Sequence, residues 1–215
     1  MESGIKRSSL DKLLEAMDAG TDIAFRNLSR AAELVASFKQ VAADQSSSQR
    51  RSFMLGEVIE EIILTLRPLL KRSDVAVRVD IAEGLLMDSY PGPLGQVITN
   101  LISNAVTHAF EDRDDRRVTI TATPDGNEAV RITLADNGNG VPDTLLPRIF
   151  DPFVTTRMGR GGVGLGLHIC HNLVMQMLGG RITVASTPGV GTTFTLTLPT
   201  CAPAPSAANE QSAHA

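Results

Sequence analysis

The chain has 215 residues, a formal net charge of −4 and a hydrophobic fraction of 42%, which fits one ordinary domain plus an accessory segment. Trp is absent and Tyr occurs once, thin for a protein that stacks single-stranded nucleic acid, and the mild acidity argues against a general nucleic-acid surface. No apolar run is long enough for a membrane span, the charged N-terminus lacks the apolar stretch of a secretory signal, and two cysteines, Cys170 and Cys201, suggest neither a disulfide framework nor a zinc site. A reducing, cytoplasmic setting is the expectation.

Residues 8–43 read as helix with a break near Gly20. Leu28, Ala31, Leu34, Val35, Phe38 and Val41 recur at three and four, with Arg30, Glu33 and Lys39 between them. Such a helix either packs on the main domain or pairs with a copy of itself or a helix from elsewhere. Residues 45–51 are polar and Ser-rich and read as a linker. A second helix is expected over 53–70, bent or ended by Pro68. Residues 75–81 alternate at period two as a strand, and 85–90 form another short one. A strong helix follows over 94–110. Residues 117–123 and 129–135 form a hairpin around Pro124-Asp125-Gly126-Asn127, 164–178 a helix stopped by Gly179-Gly180, and 181–186 with 192–198 a second hairpin. The Ala-, Pro- and Ser-rich residues 200–215 read as a disordered tail. The organisation is thus a helical segment over 1–48, a main domain over 49–199 and the tail. Mixed helices and hairpins without βαβ alternation predict an α+β class, a two-layer sandwich with a largely antiparallel sheet covered by helices on one face.

Two stretches carry the chemistry. Asp136-Asn137-Gly138-Asn139-Gly140 puts a carboxylate at a strand end before glycines, where a flat, donor-rich ring can approach the backbone. A Gly- and Arg-bearing loop then leads to Gly162-Val163-Gly164-Leu165-Gly166 at a helix start, which exposes N–H groups to an anion. Together they suggest a purine nucleotide, its base on the acid and its phosphates at the helix mouth. The glycines follow a loop rather than a strand, so they fail the dinucleotide-fold test. In the 94–110 helix, Gln96, Asn100, Asn104 and His108 are spaced by four and share one stripe. The two asparagines are either a buried structural amide pair or face a ligand, and neutral amide oxygens suit Mg²⁺ that keeps several waters and takes substrate phosphates. His108 either bonds a phosphate or closes the helix end.

These residues resemble five sequence boxes of bacterial two-component sensor histidine kinases, in family order over residues 53–199. Asn100 to His108 resembles the N box, Asp136 to Gly140 the G1 box, Phe150-Asp151-Pro152-Phe153 the F box, Gly162 to Leu167 the G2 box, and Gly191-Thr192-Thr193-Phe194 the last glycine motif. The resemblance implies the Bergerat ATP-binding fold, with ATP and Mg²⁺ as cofactors. It implies Asp136 on the adenine amino group with Thr192 nearby through water, Asn104 and Asn100 on Mg²⁺, and an ATP lid over 150–162. It further implies a nucleotide lining of His108, Gly138, Gly140, Val141, Phe150, Thr155, Thr156, Arg160, Gly162, Val163, Gly164, Leu165, Gly166 and Leu167. Arg157 and Arg160 either reach phosphate oxygens or are solvated lid charge.

Where hydrolysing members of the superfamily carry Glu as general base, this chain has Asn100, so the implied activity is γ-phosphoryl transfer to a histidine rather than fast hydrolysis. Thr107 departs from the Lys that many such kinases carry. Residues 27–40 resemble the second helix of the dimerisation hairpin, whose first helix would bear the acceptor histidine. The four histidines are His108, His168, His171 and His214, and none lies in that helix. His168 and His171 are expected to pack or to support the lid. The implied partners are ATP or ADP, a His-bearing dimerisation helix on another element or chain, a response-regulator receiver domain and a second copy in a homodimer, with no nucleic acid and no membrane contact. The rival readings are a nucleotide-binding regulatory module that transfers nothing, and a Ser/Thr kinase of the anti-sigma type on the same fold.

Overall fold

The computed structural model describes residues 16–18, 20, 21, 23, 49–155 and 164–204. Most of the expected N-terminal helix, Thr156 to Val163, and residues 205–215 lie outside the described residues. Within the first segment residues 16–18, 20, 21 and 23 are helical, Gly20 included, and Thr21 Oγ1 donates to the Met17 carbonyl at 2.6 Å.

Strand β1 (Arg51–Met54) comes first, and α1 (Leu55–Arg72) follows it directly. The sequence expects helix from residue 53; instead Phe53 and Met54 are drawn into antiparallel pairing with β3 (Leu86–Ser89). Helix α1 also runs through Pro68 to Arg72. The ring removes the hydrogen bond to the Leu64 carbonyl, and because Leu64 and Pro68 both lie on the exposed face, water can take that oxygen.

Strand β2 (Ala76–Ile81), β4 (Arg117–Pro124), β5 (Ala129–Asp136), β6 (Arg181–Thr187) and β7 (Gly191–Pro199) form one five-stranded sheet in the order β2-β4-β5-β7-β6. The β2–β4 pairing is parallel and the other three are antiparallel. Alternation sorts its two faces. Val118, Ile120 and Ala122 of β4, Val130, Ile132 and Leu134 of β5, and Phe194, Leu196 and Leu198 of β7 are buried. The opposite face carries the cross-strand row Thr121–Thr133–Thr195–Thr183. Helix α2 (Pro91–Asn104) buries Leu94, Val97, Ile98, Leu101 and Ile102, and α3 (Gly166–Asn172) contributes Cys170 to the same core. Both helices end in a wider π turn, at Ala105–Ala109 and Leu173–Met177. The α+β sandwich and its largely antiparallel sheet are as the sequence predicts.

Residues 200–203 run against the domain rather than away from it. Asp88 N–H donates to the Thr200 carbonyl at 2.7 Å, Ala202 N–H donates to the Asp88 carbonyl at 2.9 Å, and Ala202 is buried. Tyr90 Oη donates to the Pro203 carbonyl at 3.1 Å. The ordered domain therefore extends past residue 199, because β3 offers unpaired backbone groups that this segment satisfies.

Candidate functional site

The cross-strand register builds one end of the site. Asp136 is opposite Val118 on β4 and Thr192 on β7, and Thr192 is opposite Ser186 on β6. All four side chains lie on the inner face, at the end of the sheet where the apolar layer stops. Asp136 Oδ1 accepts from Gly138 N–H at 2.9 Å and Thr192 N–H at 3.2 Å. Its Oδ2 has no hydrogen-bond partner among the described residues. Burial pushes the Asp136 carboxyl above its ordinary value, and the two backbone donors oppose that shift without cancelling it. An oriented, partly dehydrated carboxylate with one open oxygen is an acceptor for a ligand N–H.

The loop after Asp136 is stitched to three neighbours. Asn137 Oδ1 accepts from Arg117 N–H at 2.8 Å, and its amide donates to the Asp115 carbonyl at 3.1 Å. Asn139 donates its side-chain N–H to the Glu111 carbonyl at 2.7 Å, and its backbone N–H goes to the Ala109 carbonyl at 2.7 Å. Gly138 lies so close to Ala109 that a Cβ would collide with its carbonyl and methyl, so only glycine fits there. Arg113 clamps the assembly. Its guanidinium donates to Asn139 Oδ1 at 3.0 Å, the Gly138 carbonyl at 3.1 Å and the Gly189 carbonyl at 2.5 Å, tying the loop to the β6–β7 turn.

Helix α2 forms the floor of the other end. Asn100 and Asn104 are half-buried and one turn apart. The Cys170 thiol of α3 reaches the Val97 carbonyl of α2 at 3.8 Å, and burial has pushed its pKa up to about 12, so it stays protonated at neutral pH. Gly166, the first residue of α3, faces Asn104: a Cβ there would lie 3.8 Å from either amide heteroatom. The helix expected from Gly164 starts two residues later, and Gly164 itself closes a loop at φ +73°. Its carbonyl accepts from Phe153 N–H at 2.8 Å, and a Cβ on Gly164 would lie 2.7 Å from the Phe153 carbonyl carbon. Residues 153 and 164 thus meet at the base of the loop between them.

The Phe150 segment is anchored by histidine. His168 Nδ1 donates to the Phe150 carbonyl at 3.0 Å, so its Nε2 accepts from the Asn172 amide at 3.1 Å. The Phe150 ring packs against His171, 5.4 Å between centroids, and edge-on to Phe194 at 6.5 Å.

With this geometry in place, the relation to known proteins is direct. A family model described as "Histidine kinase-, DNA gyrase B-, and HSP90-like ATPase" matches residues 90–202. The chain belongs to this family. It is 32% identical over 198 residues to the sensor histidine kinase RcsC of Escherichia coli, an alignment covering 88% of this chain and 20% of RcsC. It is 36% identical over 149 residues to the adaptive-response sensory kinase SasA of Prochlorococcus marinus, covering 67% of this chain and 39% of SasA. The chain therefore spans well under half of the length of these relatives. The nucleotide-free catalytic domain of histidine kinase ThkA superposes with a TM-score of 0.62 at 27% identity, covering 71% of this chain and 99% of that domain. These relatives identify it as the ATP-binding catalytic portion of a sensor histidine kinase.

Within this ATP-binding domain, the predicted residues divide into three groups. Asp136, Gly138, Gly140, Val141 and Thr192 gather at the sheet end, while Asn100, Asn104, Gly164, Leu165, Gly166 and Leu167 gather where α2 meets α3. Phe150 and Thr155 frame the loop base. Thr156, Arg157, Arg160, Gly162 and Val163 lie outside the described residues. His108 falls in the π turn after Asn104. Two residues escape the sequence reading, since Arg113 and Ser186 carry no box signal of their own. Among the described residues no cluster of three His, Cys, Asp or Glu is present, and the neutral amide oxygens of Asn100 and Asn104 are of the donor type that suits a hard cation keeping several waters.

Proposed function

We propose that this domain binds ATP with adenine on Asp136 and the phosphates between Asn104 and the start of α3, and presents the γ-phosphoryl to a histidine carried by another element. The observation that carries the base assignment is Asp136 itself: Oδ1 is committed to two backbone donors while Oδ2 stays open beside Thr192. Asn100 and Asn104 would hold Mg²⁺, which when bound would neutralise phosphate charge. The imidazole nitrogen bonds to the γ-phosphorus as the bridging oxygen leaves with ADP, and the phosphorylated imidazolium then loses its N–H proton to solvent. The chain's own residues position rather than exchange protons, because Asn100 cannot act as a base toward water near neutral pH. Lid residues Arg157 and Arg160 would add charge toward the phosphates, and a response-regulator receiver domain would take the phosphoryl group next. No described helix is long and apolar enough to cross a membrane, and the reading puts the domain on the cytoplasmic side, where ATP is.

Calorimetry with ATP and ADP, with and without Mg²⁺, tests the site; micromolar-range binding that depends on Mg²⁺ for ATP is expected, and no binding at millimolar nucleotide would overturn it. Phosphotransfer is tested by mixing the chain with a His-bearing hairpin and labelled ATP. Acid-labile label on the hairpin is expected. Acid-stable label would favour the hydroxyl-phosphorylating alternative, and no label the pure binding module, which the exposed Thr107 favours.

A further inference from the structure

Ser186 occupies the β6 end of the Asp136 row and makes three hydrogen bonds there. Its Oγ accepts from Val141 N–H at 2.8 Å, donates to the Gly191 carbonyl at 2.9 Å and meets Thr192 Oγ1 at 3.0 Å. A hydroxyl has one proton and two acceptor positions. The Gly191 carbonyl can only accept, so the Ser186 proton is committed to it. The Val141 N–H can only donate, so it occupies one acceptor position. The remaining position takes the Thr192 hydroxyl proton. Thr192 Oγ1 is then left with acceptor capacity alone, beside Asp136, whose Oδ1 is saturated and whose Oδ2 is also an acceptor.

We infer that Ser186 is a specificity-setting positioning residue: by drawing the Thr192 hydroxyl proton away from the pocket, it leaves an acceptor-only edge that selects a 6-amino purine over a 6-oxo purine. An exocyclic amino group brings two N–H donors to that edge, directly or through one water. A 6-oxo group brings lone pairs and meets lone pairs, so its oxygen stays unpaired, and the neighbouring N1–H is the one donor the base offers along that edge. Were the Thr192 hydroxyl free to turn, it could donate to the oxo group and the discrimination would fall. The inference rests on the nucleotide-site reading above and adds to it the group that orients Thr192. Ser186 acts through Thr192 and need not touch the base.

The test uses the full chain and two probes, ADP and inosine diphosphate, with affinities from calorimetry and folding from thermal melts. The unaltered chain is expected to prefer ADP. Ser186→Ala should lower the ADP-over-inosine-diphosphate preference by about three- to tenfold, the scale of one hydrogen bond. Ser186→Thr, which keeps the hydroxyl, should restore it. In a Thr192→Val background the Ser186→Ala change should move the preference by less than about twofold, since the relay has lost its target. An unaltered preference in Ser186→Ala, or an equal drop with and without the Thr192 hydroxyl, overturns the inference. If Ser186→Ala fails to melt cooperatively, Thr192→Val alone decides: full retention of the preference overturns it, and a loss supports it. Failure of the unaltered chain to bind ADP would instead remove the nucleotide-site reading itself.

Discussion

At the sheet end of the candidate pocket, backbone groups supply most of the hydrogen-bond partners. Asp136 is fixed by strand register and two peptide N–H donors, and the following loop by bonds to Ala109, Glu111, Asp115, Arg117 and Gly189. At the phosphate end, the corresponding groups are side chains on helix surfaces. Asn100 lies one turn from Asn104, Asn104 faces Gly166 across a helix junction, and Phe153 N–H donates to the Gly164 carbonyl beside it. A β-sheet end ties its groups through many short-range bonds, whereas a helix junction leaves side chains free to adapt. The base end is preorganised for one flat ligand. On the proposed reading, the helix-junction end would carry the phosphates, the groups that change as a triphosphate becomes a diphosphate.

The contrast predicts a graded set of effects. Asp136→Asn removes the charged acceptor from the rigid end and should weaken ADP by about 1.5–3 kcal/mol; unchanged affinity by calorimetry would take Asp136 out of the base pocket. Because burial already disfavours the Asp136 charge, the same variant should melt no lower than the unaltered chain at neutral pH. Asn104→Ala acts at the adaptable end and should lower the magnesium dependence of ATP binding by about tenfold while sparing magnesium-free ADP. A superimposable magnesium titration would remove Asn104 from the metal shell.

Arg113→Met loosens the base end from outside. It should weaken ADP and ATP alike by about three- to tenfold, with a small fall in melting temperature. A loss confined to ATP would mean that Arg113 acts on the phosphate end instead. The smallest effect is on pH. The Asp136 carboxyl titrates above its ordinary value of 3.8, and the proposed adenine contact uses the ionised form. Its raised pKa stabilises the fold below the unfolded value, and that contribution is lost as pH rises through the folded one, while nucleotide affinity runs the opposite way and falls as pH drops through it. ADP titrations at descending pH should therefore weaken before ordinary aspartates protonate, and a profile flat down to 3.8 would contradict the buried carboxylate.

Much of the fold is legible in the sequence because the inner-face alternation of residues 117–136 and 191–199 has a physical cause that a linear pattern carries. The box residues are legible too, since a carboxylate before glycines and amides at helical spacing are unusual in an apolar context. The Phe53–Met54 strand, the residues 200–203 that run beside β3, and the π turns were not. Each depends on which unpaired backbone groups a neighbour offers, and local propensity says nothing of that.

The sequence alone determined the α+β class and the apolar inner face, and it singled out the Asp136 carboxylate and the Asn100 and Asn104 amides, because each is set by a residue type at a short spacing. Tertiary structure alone decided that Ser186 sits beside Thr192, that Thr192 meets Asp136 from 56 positions away, that Arg113 clamps the loop, and that the Cys170 thiol reaches the Val97 carbonyl. These roles come from strand register and from carbonyls and thiols used as partners. Hydrogen bonds to such groups form only after distant segments are packed, so no spacing along the chain could announce them.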